Sequence, residues 1–533
     1  MSEATYLIVG AGSAGCVLAN RLSENPAHRV LLIEAGPDDS SPLIGMPKGF
    51  GKLLADPKHA DYTPVAPHAG NRGRQEVWAR GKMLGGSSAI NGMVYVRGHP
   101  ADYDAWASQG ATGWGWDEMA KRFKAMEDHA LGADELRGAG GPLKVTPHAE
   151  RSELAEATIA ACARLGLERR EDLNRLDHEG IAYLSYTIRD GVRQSAAAAF
   201  VAPVRSRANL RVLTGTRVVR VLFEGRRAVG VEVVVDGHLR RFDATRELIL
   251  CAGALQSPRL LQLSGVGDGG HLRSLGIRPV AHNPAVGRHL QEHLLYMAQW
   301  RLADWRHSQN REYSGWRLGL NATKYLSTRS GVMATGSYPV GGFYRSLPGA
   351  ARADAQLMMC PFSLDFAAGG MAMEDFPGMQ FFSYGLRPRS QGHLRIVSPD
   401  ADVPAEVDPN YLAEEEDRRI AIASMRFMRR VAQQPSLAPL IVAETRPGPA
   451  VQSDEQILDA FRSGGQSGYH ACGTCRMGGD EHSVVDPRLK VRGVEALRVM
   501  DLSIAPTMPA GNTNGPVMAM AWRAADLILE DAR

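Results

Sequence analysis

The hydrophobic pattern of this chain opens with Tyr6-Leu7-Ile8-Val9, four consecutive residues with the length and composition of a parallel strand buried on both faces. Gly10-Ala11-Gly12-Ser13-Ala14-Gly15 follows and leads into a helical segment over residues 16–22. A second buried strand is predicted at Val30-Leu31-Leu32-Ile33, which ends in the carboxylate of Glu34. Further on, Thr216-Arg217-Val218-Val219-Arg220-Val221 reads as another apolar strand. Residues 80–93 differ: small residues dominate, yet Met83, Leu84, Ile90 and Met93 are embedded among them. That mixture favours a buried or ligand-covered segment over a flexible surface loop. No uninterrupted apolar run approaches the roughly 20 residues that cross a bilayer as a helix.

Strand, glycine turn and helix in this order predict a dinucleotide site. Gly10 permits the tight turn, Gly12 lets a pyrophosphate approach the backbone, and Gly15 lets helix and strand pack closely. The helix N-terminus is then aimed at the phosphates. Glu34 is placed to accept hydrogen bonds from a ribose diol and would repel the extra phosphate of NADP. The glycine pattern does not by itself separate NAD from FAD. The small residues of 80–93 bear on that choice, because backbone can lie there against a flat ring, with the amide of Asn91 beside it. A nicotinamide site has no obvious need of such a segment.

A chain of 533 residues exceeds what one hydrophobic core usually organises, so two joined domains are expected. The 61 basic and 58 acidic residues leave a net charge of +3, with no basic block that would suggest nucleic acid. The N-terminus runs into the first strand without a basic start or cleavage signal, so a cytoplasmic location is expected, with peripheral membrane attachment left open. The six cysteines are sparse and read as reduced thiols. Cys472 and Cys475 have the Cys-x-x-Cys spacing of redox or zinc sites, but no second pair completes four thiolates and Arg476 replaces the histidine of a haem attachment motif. They are read as structural, and no metal site is expected.

Several longer segments carry a resemblance. Residues 81–104 are similar to the first signature of the glucose-methanol-choline (GMC) oxidoreductases, and residues 253–267 to the second. Residues 286–293, 469–478, 501–506 and 512–516 match further family segments in order. The resemblance spans nearly the whole chain. It implies FAD as cofactor and a fold of mixed α/β and α+β class: a Rossmann-like FAD-binding domain and a second, substrate domain built on an antiparallel sheet covered by helices. Placing the motifs divides the chain into a discontinuous FAD-binding domain, residues 1–149, 194–301 and 450–533, and a substrate-binding domain, residues 150–193 and 302–449.

The resemblance also assigns residues. The dinucleotide contacts fall on Gly10, Gly12, Ser13, Ala14, Gly15, Glu34 and Ala35, with Val218 at the adenine. Gly85, Ser88, Asn91, Gly92 and Val94 belong to the flavin end, and Asp501 to the flavin edge. Some family members tether the flavin through a histidine where this chain has Ile90, so noncovalent FAD is expected. The active-site pair falls on His470 and Asn514. An alcohol yields hydride when its hydroxyl proton is leaving, so a base must stand beside it, and a neutral imidazole serves near physiological pH. Asn514 is assigned to hold the substrate oxygen. Without the resemblance, His470 also reads as a core histidine, and Asn512 and Asn514 as turn or helix-cap residues. His289 and His293 read as packing or supporting residues.

The expected activity is FAD-dependent oxidation of an uncharged, primary alcohol to an aldehyde, a dehydrogenase passing electrons to a quinone, protein carrier or oxygen. The alternatives are a choline or other alcohol oxidase and a GMC-type hydroxynitrile lyase with structural FAD. In choline-oxidising relatives a glutamate precedes the Gly-Gly-Phe segment; here Pro339 stands near that place, ahead of Gly341-Gly342-Phe343, which disfavours choline. Met358, Met359, Met371, Met373, Phe376, Met379, Phe381 and Phe382 read equally as an adaptable pocket or as core.

Overall fold

The first apolar run forms the strand Glu3–Val9 at the centre of a seven-stranded sheet. In the computed structural model, which describes residues 3–368 and 372–532, it pairs in parallel with Val30–Ile33 on one side and with His238–Leu250 on the other. Leu210–Leu213 and Leu497–Val499 extend the parallel part outward. An antiparallel meander completes the sheet, Arg217–Glu224 and Arg227–Val235 joined to His238–Leu250. Unbroken apolar composition at 30–33 follows from burial on both faces, where each aliphatic side chain contributes about 1.5–3 kcal/mol. The helix Ser13–Leu22 starts three residues before the expected segment and packs on the terminal helix Asn514–Glu530.

The second sheet also has seven strands and is antiparallel throughout. Its order is Ile441–Arg446, Leu294–Leu302, Gly378–Gly385, Ala355–Cys360, Val340–Tyr344 and Gly180–Tyr183, with Gln466–Ser467 also paired to Leu294–Leu302. A mixed α/β and α+β architecture results, a Rossmann-like layer beside a helix-covered antiparallel sheet. The expected boundary after residue 301 assigns Leu294–Leu302 almost wholly to the first domain. The structure places it inside the second sheet, because its alternate residues Tyr296, Ala298 and Trp300 complete the apolar layer under the covering helices.

Alternation along these strands sorts the methionine and phenylalanine cluster. Met359, Met379 and Phe381 join the core beneath the helix Glu415–Ala432. Met358 and Phe382, one residue out of phase, point to the opposite face, and Met373 packs at its edge. Phe376 lies under the Arg301 guanidinium, and Met371 lies outside the described residues. All six cysteines are buried free thiols. Among the described residues no helix is long and apolar enough to cross a membrane, and no cluster of three or more His, Cys, Asp or Glu side chains is arranged to hold a metal.

Candidate active site

A cavity of about 710 Å³ lies between the two sheets, lined by Val9 and Ile33 from the first and by Met297, Met358 and Phe382 from the second. Its first-sheet end has the form of a dinucleotide cradle. Gly10 adopts φ +99°, and a Cβ there would stand 2.5 Å from the Cys251 carbonyl, so only glycine makes this turn. A Cβ on Gly12 would meet no heavy atom nearer than Gly86 Cα, at 4.0 Å, and would occupy the space above the turn. The helix Ser13–Leu22 begins at Gly12 with no side-chain cap and no acidic residue in its first turn. Its leading N–H groups and positive dipole end are thereby offered to an anion. These features suit the pyrophosphate of FAD.

Of the assigned cofactor residues, Gly10, Gly12, Ser13, Ala14, Glu34 and Ala35 line the cavity, as do Asn91, Gly92, Val94, Val218 and Asp501. Three do not. A Cβ on Gly15 would stand 1.9 Å from the Gly10 carbonyl, so this glycine serves helix packing behind the turn. Gly85 donates its N–H to the Ala11 carbonyl at 2.8 Å. Ser88 turns away from the cavity, donating to the Gly85 carbonyl and accepting from the Ala196 N–H at 2.8 Å. Gly86 and Ser87 face the cavity in their place. The reason is the one-turn helix Gly86–Ala89, which rotates successive side chains to different sides. Arg193, buried beneath this loop, donates to the carbonyls of Ile44, Ser88 and Asn91 and to the Asn91 side chain.

Glu34 receives the N–H groups of Ala11 and Gly36, each at 2.9 Å. Burial raises its pKa to about 7 against these bonds. Each oxygen retains a second lone pair for a ribose hydroxyl. At Val218 the ladder shifts register before Arg220, breaking regular pairing where the strand meets the cavity. Asp501 accepts from the Gly253 N–H at 2.9 Å and the Ser503 N–H at 2.8 Å, tying two loops together beneath the cavity. Ile90 also lines the cavity.

At the other end His470 is held by a second histidine. His293 Nε2 lies 2.9 Å from the Leu386 carbonyl, which can only accept, so that nitrogen carries the proton. Burial lowers the pKa of His293 to about 4, leaving the ring neutral and its Nδ1 an acceptor. His470 Nδ1, 2.8 Å away, must therefore donate, and the lone pair of His470 remains on Nε2. Desolvation, then the neighbouring His293 and Arg80, push the pKa of His470 well below the ordinary histidine value. Glu292 accepts the backbone N–H of both residues, His470 at 2.7 Å and His293 at 2.9 Å, and pairs with Arg80 at 3.3 Å. It holds the backbones in place and leaves the rings to each other. His289 bonds Gln391 at 3.0 Å and does not line the cavity.

Asn514 lines the same cavity as His470 but makes its hydrogen bond elsewhere. Asn514, the first residue of the terminal helix and not its cap, accepts from Ser13 Oγ at 2.8 Å, at the dinucleotide turn. It is Asn512 whose Nδ2 lies 3.5 Å from His470 Nε2. Gln356 Nε2 donates to Asn512 Oδ1 at 3.2 Å, and Tyr384 OH donates to Gln356 Oε1, which together fix the direction of the asparagine amide. With Nε2 unprotonated, the Asn512 amide is placed to donate to it, and both residues line the cavity, where a hydroxyl entering between them would donate to one and accept from the other. Asn512 carries no signal in the sequence that separates it from Asn514; the two stand two residues apart at the start of a helix, and only packing decides which turns to the histidine.

A glycine turn over a helix N-terminus at one end of a two-sheet cavity marks a dinucleotide-binding protein. The chain belongs to the GMC oxidoreductase family, whose N-terminal profile matches residues 4–295 and whose C-terminal profile matches residues 388–521. It is 41% identical over 541 residues to mitochondrial choline dehydrogenase of Homo sapiens, covering 99% of this chain and 90% of that one. It is 39% identical over 532 residues to an alcohol dehydrogenase (acceptor) of Pseudomonas putida, covering 98% of this chain and 95% of that one. Among solved structures, pyridoxine 4-oxidase from Mesorbium loti superposes with a TM-score of 0.90 at 33% identity, covering 99% of both chains.

Proposed function

We propose that the protein oxidises an uncharged primary alcohol to its aldehyde, with noncovalent FAD as hydride acceptor and His470 Nε2 as the base. The observation that carries this reading is the convergence of the His470 lone pair and the Asn512 amide on one point of the cavity that also contains the dinucleotide cradle. FAD supplies the two-electron acceptor when bound. His470 takes the hydroxyl proton and, with Nδ1 donating to His293, is oriented to do so without rotating. Asn512 donates to the substrate oxygen as negative charge develops there. Asn514 and Ser13 belong to the cofactor end, which amends the expected pairing of His470 with Asn514.

The neutral substrate follows from the second-sheet wall. Its lining residues, Met297, Tyr338, Met358, Phe362, Gln380 and Phe382, carry no charge. Behind Phe362 stands Tyr313, and against the Tyr313 ring lies the buried ammonium of Lys48, which donates to the Gly336 carbonyl at 2.8 Å. A positive group one aromatic layer behind the wall disfavours a quaternary ammonium within it. The similarity to choline and alcohol dehydrogenases supports alcohol oxidation as the chemistry.

Anaerobic addition of a neutral primary alcohol is expected to bleach the flavin absorbance, with choline far less effective. An enzyme that no alcohol bleaches overturns the reading, and stoichiometric peroxide with rapid reoxidation in air would make it an oxidase. Acid precipitation is expected to leave all the FAD in the supernatant, because Ile90 offers no nucleophile; flavin remaining with the pellet would show a tether.

A further inference from the structure

Gln380 lies in the second sheet on the strand Gly378–Gly385 and is completely buried. Neither its amide oxygen nor its amide nitrogen has a hydrogen-bond partner among the described residues, and the residue lines the cavity that contains His470. Its neighbours show how unusual this is. Gln299, directly across one ladder, has its amide engaged by the backbone of Leu364, accepting the N–H at 2.8 Å and donating to the carbonyl at 3.1 Å. Cys360, directly across the other, brings its thiol against the Gln380 side chain, but a thiol is a weak donor and acceptor and leaves most of the capacity of the amide unused. Buried amides in working proteins are paired. Water is a poor candidate here, because it needs several polar partners and the adjoining wall of Met358, Phe362, Leu364 and Phe382 is apolar.

The strand also gives the direction. Gln380, Phe382 and Tyr384 alternate onto one face, and the Tyr384 ring lies 5.9 Å from that of His470. Four residues of extended chain set Gln380 about 13 Å beyond Tyr384. The chamber therefore has a reacting end, an apolar middle and one neutral polar group at the far end.

We propose that Gln380 recognises a second, uncharged hydrogen-bonding group, a hydroxyl, carbonyl or amide, at the far end of an elongated alcohol whose carbinol sits at His470. The proposal rests on the alcohol-oxidising reading above and names its substrate class. A carboxamide both donates and accepts, so it satisfies any of these groups, while an alcohol with a purely apolar tail leaves it unpaired.

The test compares terminal diols of hexane, octane and decane with the monoalcohols of the same chain lengths, following anaerobic flavin reduction in the purified holoenzyme. The expected result is that at one chain length kcat/KM for the diol exceeds that for the monoalcohol by about 10²-fold or more, far beyond the statistical factor from its two equivalent ends. In Gln380→Leu the ratio of diol to monoalcohol kcat/KM should fall to within a few-fold. Equal rates for diol and monoalcohol at every length in the unaltered enzyme overturn this proposal alone, whether or not the variant folds. Retention of the preference in a folded, FAD-replete Gln380→Leu also overturns it. Failure of every alcohol to bleach the flavin overturns the parent reading and this one together.

Discussion

Replacing His470 by alanine is expected to leave FAD bound and to slow reduction of the flavin by alcohol by about 10²–10⁴-fold, the range attributed to a positioned general base. FAD retention follows because the cradle is built from the turn at Gly10 and Gly12 and the helix Ser13–Leu22, with His470 at the opposite end of the cavity. Stopped-flow reduction under anaerobic conditions reads the effect directly; near-normal rates would remove His470 from the role. The unaltered enzyme makes a linked statement about pH. Desolvation, His293 and Arg80 all disfavour the imidazolium of His470, so its pKa in the free enzyme is lowered below 6.5. A group that must be unprotonated to work, with a lowered pKa, is already in its active form at neutral pH. The rate constant kcat/KM for reduction should therefore be flat through neutrality and fall only as pH drops below that value. A limb rising between neutral and alkaline pH would show that another group supplies the base.

Asn512→Ala should cost about 10²–10³-fold in kcat while FAD stays bound, as expected for loss of one donor aimed at developing negative charge. The comparison with Asn514→Ala separates two residues that the sequence sets side by side. Removing the Asn514 side chain takes away the acceptor of the Ser13 hydroxyl at the dinucleotide turn. Its expected signature is weaker FAD retention, on the order of 10-fold for one hydrogen bond, with reduction within a few-fold of normal once FAD is restored. Equilibrium flavin titration and single-turnover reduction on both variants decide the matter, and the reversed pattern would return Asn514 to the reacting centre.

The lone pair on His470 Nε2 has an origin far from the substrate. The Leu386 carbonyl sets the tautomer of His293, and His293 sets that of His470. Asn512 is likewise directed through Gln356 by Tyr384, which packs on His293 with ring centroids 4.5 Å apart. Tyr384, which packs against both histidine rings and directs Asn512 through Gln356, lies on the strand Gly378–Gly385, with Leu386 just after it and Phe382 and Gln380 as the next alternate residues. On the proposed function, the reacting groups and the wall facing the substrate are thereby set by one element and its end, which suits a site needing both to within a fraction of an ångström.

The cofactor end was legible in the sequence because its constraints are local. Gly10 needs a positive φ, Gly12 needs open space above it, and the buried strands Glu3–Val9 and Val30–Ile33 advertise themselves as unbroken apolar runs; each depends on residues within a few positions. Even there, a one-turn helix exchanged Ser88 for Ser87 at the cavity wall, since the direction of a side chain in so short a helix follows its exact start.

The remainder rests on contacts between residues far apart in the chain. The second sheet claims Leu294–Leu302 by pairing it with strands some eighty and one hundred and fifty positions later, which no local pattern announces. The motif marks His470 as a candidate base, but its tautomer depends on residues 293 and 386, and the orientation of Asn512 on residues 356 and 384. Gln380 looks in sequence like any polar residue of a strand. Sequence alone determined the glycine turn, the buried strands and the kinds of side chain available for chemistry, because backbone sterics and apolar periodicity act over short range. Tertiary structure decided which asparagine meets the histidine, which nitrogen keeps its lone pair and which amide is left without a partner, because hydrogen bonds in a buried site are directional and their partners are brought together only by folding.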